Sequence, residues 1–421
     1  MPPRKKAPTK KTESNPLTDA MEKLKGAFKD QDIGAVDLDP ELFRKSRAHL
    51  STGSIVIDYI IGGLPNKHGV LPCPGLPRGA VTEVWGHEGA GKTTVALHAA
   101  AKTCKEGGPN GGPGTVVFVD WEHALDLSYA KTIGVPVDDP NRFRLFQPQT
   151  LEQGLGIIWS MTKAGVDLVI IDSVGAGVPE ARLKQKDSEK GELGRVGLLA
   201  AKWSAVLPEL VNKASQTGTA ILGISQLRKK ISTNKMASRG PDTTPQGGEA
   251  WKFYSWVRIG LRRIQYEKGK IYDPLTHTRV ETAIKSMVNV KMEKCKVSAS
   301  QGREATIHIA FGEGIDDMRS IFDIAAAHKI ILKQGAWYSF QPANGTLIKE
   351  QGLDKFRAAV KETPGMYTQI HQQVVAKITS LGDGMTLLPE LDDDGIDELD
   401  ELINDRPEIV VEGAEEADEE D

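Results

Sequence analysis

The chain has little of what would place it outside a cell or in a membrane. Its three cysteines, Cys73, Cys104 and Cys295, lie far apart in 421 residues, without a C-x-x-C pattern or metal-ligand spacing. That excludes a disulfide framework and reads as reduced thiols in a cytosolic protein. No apolar run approaches the roughly 18–20 residues that a membrane span requires. The N-terminus lacks the apolar stretch of a secretory signal, and its opening MPPRKKAPTKKT holds no acid. The expectation is a cytoplasmic protein that does not engage a membrane.

Charge is present but unevenly spread. The formal net charge is −4, yet residues 391–421 hold sixteen acids against the single base Arg406, so the remainder is net basic. A basic body with an acidic tail points to a polyanionic partner whose access the tail competes for. Equally, both ends can be solvated tails that aid solubility. With 39% apolar residues, the chain has material for two or three domains and a real core.

Leu17, Met21, Leu24 and Phe28 recur at helical spacing, which predicts an amphipathic helix that buries its stripe on the body or on a neighbouring subunit. From about residue 50, β-rich runs at 80–85, 116–119, 168–171 and 219–224 alternate with helical patterns such as 94–105 and 193–214. Strands alternating with helices predict an α/β fold with a mainly parallel sheet covered on both faces. Runs at 255–261, 285–291 and 305–311 lack intervening helices and predict an antiparallel extension. Gly/Pro-rich inserts at 62–79 and 106–114 read as loops. Helices near 320–329 and 353–361 and the stretch GAWYSF outline a small C-terminal α/β domain. The expected division is a basic arm with an amphipathic helix (1–50), an α/β core (51–314), a C-terminal domain (315–389) and a disordered acidic tail (390–421).

Chemistry concentrates at GHEGAGKTT, residues 86–94, which fits G-x-x-x-x-G-K-[ST] between a strand and a helix. Glycines let backbone N–H groups wrap phosphates, Lys92 supplies charge to the outer phosphates, and the Thr93 hydroxyl ligates Mg²⁺. Gly86, His87, Glu88, Gly89, Ala90, Gly91 and Thr94 complete that cradle. The strand VDLVIIDS ends in Asp172, a candidate for the metal's water shell. A third strand ends in Asp120-Trp121-Glu122. Glu122 reads either as a base that deprotonates water or as an acid complementing a helix dipole. A fourth strand leads to Gln226, an amide able to bond a γ-phosphate. After it the stretch from Leu227 to Gln246 loses periodicity and carries Arg228, Lys229, Lys230, Lys235 and Arg239 against Asp242.

Together these pieces resemble the RecA family of homologous-recombination ATPases. The resemblance rests on Ser51-Thr52-Gly53-Ser54 with Asp58, the phosphate loop, FVDWEHALD (118–126), IIDS (170–173) and SQLR (225–228). It continues through GGEAWKFY (247–254), VRIGLRR (257–263), GEGI (312–315) and GAWYS (335–339), covering roughly residues 50 to 340 in order. The resemblance implies an RecA-like core that binds ATP and Mg²⁺, with Glu122 activating the hydrolytic water, Thr93 and Asp172 at the metal, and Gln226 sensing the γ-phosphate. It also implies Asp126 and Tyr129 at the adenine, and Lys294 and Lys296 reaching the nucleotide of a neighbouring subunit in a helical filament. Single-stranded and homologous double-stranded DNA are the implied partners, with single-strand-binding and loading proteins beside them. The implied DNA loop carries Arg228, Lys229, Lys230, Lys235 and Arg239, with Ile231 as a wedge between bases and Gly247 and Gly248 closing it. Lys252, Arg258, Arg262 and Arg263 add charge; the last two read equally as solvated strand residues.

Several positions depart from the family pattern. Ser225 stands where the bacterial proteins usually carry asparagine. The stretch 180–195 is unusually charged, and the helix after it has Ala201 and Pro208 where arginines are expected, with Lys202 the available substitute. These differences suit a divergent bacterial or phage-encoded member. A ring helicase or branch-migration ATPase on the same core would explain the nucleotide residues but not Lys294, Lys296 or GAWYS. A small-molecule kinase should show a substrate pocket with an acceptor base where this chain has a basic loop, and a regulator without turnover would not need Glu122.

Overall fold

The computed structural model describes residues 45–66, 68–184, 192–229, 243–245, 248–342, 345 and 347–380, together with Leu24. The segment up to Lys45 is a unit separate from the body that begins at Ser46. The acidic tail, most of the predicted arm helix and Lys230–Asp242 lie outside the described residues.

The body is organised on one sheet. Strands β1 (Val81–Gly86), β2 (Val116–Asp120), β3 (Phe143–Phe146), β4 (Leu168–Asp172) and β5 (Ala220–Lys229) run parallel in the order β3-β2-β4-β5-β1. β6 (Val257–Asp273) joins β1 in parallel, and β7 (Thr278–Cys295), β8 (Glu304–Ala310) and β9 (Gly314–Ile315) then continue antiparallel. The sheet is therefore parallel where helices connect it and antiparallel where hairpins do, as the sequence pattern predicts.

Period-two alternation sorts the apolar residues onto two faces. Phe118, Ile170, Leu222 and Val84 join Ile57, Ile61, Leu97 and Ala99 from α1 (Ile55–Gly62) and α2 (Lys92–Glu106). Val117, Val119, Val169, Ile171 and Ile221 face the opposite way. They meet Ile158 of α4 (Leu151–Ala164), Trp203 and Leu207 of α5 (Glu192–Thr217) and Trp251 of α6 (Glu249–Tyr254), with α3 (Leu127–Ile133) preceding all three in the chain. Burying each such aliphatic side chain contributes about 1.5–3 kcal/mol. Because both faces are covered, the central strands read as unbroken apolar runs.

Three differences from the sequence reading have local causes. β5 runs on to Lys229, so Gln226 sits within the strand instead of at its end. Gly86 pairs opposite it, and the short strand Thr243–Pro245 pairs antiparallel with residues 227–229. β3 was not legible because FRLF is an edge strand with only Phe143 fully buried. The antiparallel strands β6 and β7 are far longer than the predicted 255–261 and 285–291, since their outer halves lack a buried face.

The C-terminal part packs α7 (Asp317–Ala327), a three-stranded antiparallel sheet spanning Leu332–Gln351, α8 (Leu353–Glu362) and α9 (Met366–Ser380) around Phe322, Phe340, Phe356 and Ile370. Asp316 caps α7 by accepting the Arg319 N–H, which sets its start ahead of the expected one. α9 was not anticipated. Among the described residues, no helix is long and apolar enough to cross a membrane.

Candidate active site

The loop from β1 into α2 has the shape its glycines permit. Gly89 and Gly91 have φ of 68° and 87°, and a Cβ at Gly91 would collide with Ile309. A Cβ at Gly86 would collide with the Leu261 carbonyl. The loop leaves the free N–H groups at the start of α2 aimed outward, an anion-binding arrangement. Lys92 is buried, and its Nζ donates to the carbonyls of Gly86 at 3.0 Å and His87 at 2.8 Å. Burial lowers its pKa, while Asp172, Glu122 and Glu88 oppose that shift.

The parallel register brings carboxylates to the same sheet edge: Asp120 pairs with Asp172 across β2 and β4. Thr93 Oγ1 donates to Asp172 Oδ2 at 2.8 Å. Burial pushes Asp172 up to about 7, with Glu122 and Asp120 adding to the rise and the Thr93 hydrogen bond opposing it. A hydroxyl beside a carboxylate is a hard-oxygen donor set that fits Mg²⁺.

Glu122 follows β2 in a turn that Asp120 holds by accepting the N–H groups of Glu122 and Leu125, at 3.0 and 3.2 Å, and the Gln147 amide at 3.1 Å. Glu122 Oε1 accepts from Ser173 Oγ at 2.6 Å and from Gln226 Nε2 at 2.8 Å. The water-activation candidate and the sensor candidate therefore touch, across two strands. Asp126 caps α3 by accepting the Ser128 and Tyr129 N–H groups, and the Tyr129 hydroxyl shares a 3.1 Å hydrogen bond with Thr94.

A cavity of about 660 Å³ is lined by Glu88, Gly89, Gly91, Lys92, Thr93, Thr94, Glu122, Asp126, Tyr129, Asp172 and Gln226. Gly86, His87 and Ala90 shape the loop from behind without lining the cavity. Its opposite wall is Ser286, Ile309, Phe311 and Gly312, from the antiparallel extension, and sequence reasoning missed these. Nothing local marks them, because they reach the loop only through the register of β7 and β8. Arg263 does not line the cavity but braces the loop from β6, its Nη1 donating to the Gly89 carbonyl at 3.1 Å. Its guanidinium lies 4.4 Å over the Tyr266 ring, and Tyr266 meets Phe311 edge-on at 6.0 Å.

The other expected residues lie elsewhere. Lys294 donates to the carbonyls of Lys252 and Phe253, at 2.5 and 3.1 Å, and neither it nor Lys296 lines this chain's own cavity. Burial lowers the Lys294 pKa, with Lys296 and Arg258 adding to the effect. Arg258 is not free surface charge, since it pairs with fully buried Glu83 at 2.6 Å, and Ser225 donates to the same carboxylate at 2.7 Å. Lys252 pairs with Glu249 and Lys202 with Glu152. Gly248 has φ of 84° and leaves no room for a Cβ against Ala200. Arg228 and Lys229 contribute backbone to β5, while Lys230, Ile231, Lys235, Arg239 and Gly247 lie outside the described residues.

A family model described as the RecA N-terminal domain matches residues 17–316, and one described as the RecA C-terminal domain matches 319–379. The chain is 36% identical over 352 residues to Protein RecA of Gluconobacter oxydans, covering 83% of this chain and 89% of that protein. It is 38% identical over 333 residues to Protein RecA of Chlorobium chlorochromatii (78% and 82% of the two chains). To Protein RecA of Salinispora arenicola it is 37% identical over 334 residues (79% and 83%). With a phosphate loop, a carboxylate-lined sheet edge and these matches over most of its length, the chain belongs to the RecA family and is an ATP-dependent DNA recombinase, a DNA-dependent ATPase.

Proposed function

We propose that the cavity between the phosphate loop and the antiparallel wall is where ATP is bound and hydrolysed, and that the loop after β5 grips DNA. The observation that carries this reading is the Glu122–Gln226 contact at 2.8 Å, facing Lys92 and Thr93 in one cavity. A carboxylate so placed orients a water and accepts its proton. Gln226, released from Glu122 to bond a γ-phosphate, carries the nucleotide state into the chain that follows it. Lys92 leaves its two carbonyl partners for the β- and γ-phosphates, and the loop N–H groups and the α2 N-terminus hold the rest. Thr93 and Asp172 would hold Mg²⁺, which neutralises phosphate charge. Asp126 and Tyr129 border the base.

Lys294 and Lys296 are assigned to the nucleotide of a neighbouring protomer in a filament, which accounts for their distance from their own cavity. Arg228, Lys229, Lys230, Lys235 and Arg239 track the phosphates of single-stranded DNA, with Ile231 as the apolar wedge, Gly247 and Gly248 closing the stretch and Lys202 as a further cation. Pairing with homologous duplex and strand exchange follow on that filament. The residue divisions 1–50, 51–314, 315–389 and 390–421 are retained as the working domain plan.

The test is ATP hydrolysis with and without single-stranded DNA, alongside imaging. DNA-stimulated hydrolysis with open filaments is the expected result, and closed rings would favour a helicase. Lys92→Ala is expected to abolish turnover, and hydrolysis at the parental rate would show the phosphate loop misassigned. Glu122→Gln is expected to cut turnover by about 100-fold or more while nucleotide binding persists.

A further inference from the structure

The Gly/Pro-rich stretch 62–79 joins α1 to β1, and it is tied down at several points. Asn66 closes a turn by accepting the N–H groups of His68 and Val70, at 2.9 and 3.2 Å. Cys73 is fully buried. Leu76 and Pro77 pair antiparallel with Leu50 and His49. The stretch also fixes the chain just ahead of α1. The Arg47 N–H donates to the Pro72 carbonyl at 2.7 Å, and Ser46 Oγ donates to the Leu71 carbonyl at 2.7 Å.

Two lines of contact run from this stretch to the segment that carries Lys294 and Lys296. The first passes through Arg47, whose guanidinium lies 4.5 Å over the Trp256 ring, a cation–π contact. The Trp256 carbonyl in turn accepts the Lys296 N–H at 2.9 Å. The second leaves from the end of α1. The Ile61 carbonyl accepts from Ser298 Oγ at 2.6 Å and from the Cys295 thiol at 3.8 Å. Gly63, with φ of 75°, passes so close that an added Cβ would stand 2.8 Å from Ser298 Cβ and Oγ. Gly62 behind it leaves 3.2 Å between such a Cβ and Pro74. Residues 296–298 lie just beyond the last β6–β7 pair, where the sheet no longer holds them, and these two contacts take over.

We propose that the stretch 62–79 is a brace for the lysine-bearing segment, with Arg47 and Ser298 as its positioning residues, so that Lys294 and Lys296 reach the nucleotide of a second copy of this chain. The inference rests on the assignment of those two lysines to a neighbouring protomer. Lysine carries its charge on a flexible four-carbon stem, so the reach of each ammonium is set by how firmly its backbone is held. A displacement of about 1 Å in a group that acts on a reacting phosphate costs up to about 100-fold in rate. Neither Arg47 nor Ser298 lines the chain's own cavity, so their effect is exerted on the neighbour's site.

The test measures DNA-stimulated ATP hydrolysis by full chains carrying Arg47→Ala or Ser298→Ala, alone and in mixed filaments. Each is expected to lower kcat by about 10-fold with a smaller rise in KM, and Arg47→Lys to restore part of the loss, because an ammonium also sits over an indole face. The mixing partner is Glu122→Gln, which keeps its lysines and still binds nucleotide. In a head-to-tail filament, an Arg47→Ala protomer beside a Glu122→Gln protomer has an intact site of its own and intact lysines from its neighbour. The mixture is therefore expected to hydrolyse ATP several-fold faster than the two chains measured separately and summed. A defect confined to the Arg47→Ala chain's own fold or site gains nothing from mixing. Lys294→Ala mixed with Glu122→Gln separates the two levels of the inference. Rescue of Lys294→Ala without rescue of Arg47→Ala and Ser298→Ala would overturn the brace and leave the lysine assignment standing. Rescue of none of the three would overturn the assignment and the brace with it, and parental hydrolysis by both Arg47→Ala and Ser298→Ala would overturn the brace alone.

Discussion

Burial beneath the phosphate loop holds Asp172 close to half-protonated at neutral pH, because its pKa is pushed up to about 7. In the metal role proposed for Asp172 the protonated form cannot serve, so Mg²⁺ binding there would release that proton. The sign is fixed: Mg²⁺-dependent nucleotide affinity falls as pH is lowered from 8 to 6, and Asp172→Asn removes most of that dependence along with most of the affinity. A nucleotide titration at both pH values reads this directly, and a flat profile in the parent would detach Asp172 from the metal. Arg263 acts at the same scale. It reaches the Gly89 carbonyl from β6, so Arg263→Ala is expected to raise KM for ATP several-fold with a smaller change in kcat, and Arg263→Lys to restore part of it. Equal falls in kcat and kcat/KM would instead give Arg263 a role confined to the transition state.

At the scale of elements, the strands meet beneath the site through charge. Glu83 of β1 is fully buried and is held by Arg258 of β6, with Ser225 of β5 donating to its other oxygen. Arg258 also approaches Glu293 of β7 at 3.5 Å. Arg258→Met leaves a buried carboxylate without its cation, and a loss of about 3–5 kcal/mol in denaturant unfolding is expected. Glu83→Gln with Arg258→Met should recover much of it; no recovery would mean that packing, not charge, is lost. This network also explains one limit of the sequence. Arg258 and Ser225 looked like a DNA cation and an odd substitution, and only the register of three strands shows that both serve Glu83. The parallel core, phosphate loop, Glu122 and Asp172 were legible because each sits at a strand end marked by a local pattern, and Gln226 because it follows the apolar run of β5, although the strand continues past it. Ser286, Phe311 and the Arg263–Gly89 contact were not, since the first two come to the cavity through strand register and the last spans 174 residues of chain.

For the body as a whole, the C-terminal part is tied to the core through two neighbouring carboxylates as well as apolar packing. Ile55 and Tyr59 of α1 pack against the cluster around Phe356, and Asp317 accepts the Ile55 N–H at 2.9 Å. Next to it, Asp316 takes both guanidinium nitrogens of Arg357 from α8, at 2.6 and 2.7 Å, and Lys285 of β7 at 3.1 Å. Burial alone would raise the Asp316 pKa, but Arg357 and Lys285 outweigh it and hold the carboxyl at about 2. A carboxyl depressed in the folded state contributes stability above its unfolded pKa near 3.9 and loses it as pH falls through about 2. Asp316→Asn is therefore expected to cost on the order of 2 kcal/mol at pH 7 and almost nothing near pH 2, measured by unfolding at the two pH values. Through Lys285, which lies on β7 next to the cavity-lining Ser286, Asp316 also holds the root of the β6–β7 hairpin. If the C-terminal part only packs on the core, Asp316→Asn lowers stability and leaves DNA-stimulated hydrolysis intact. If Asp316 also positions the cavity wall through Lys285, the same substitution raises KM for ATP at a temperature where the chain remains folded.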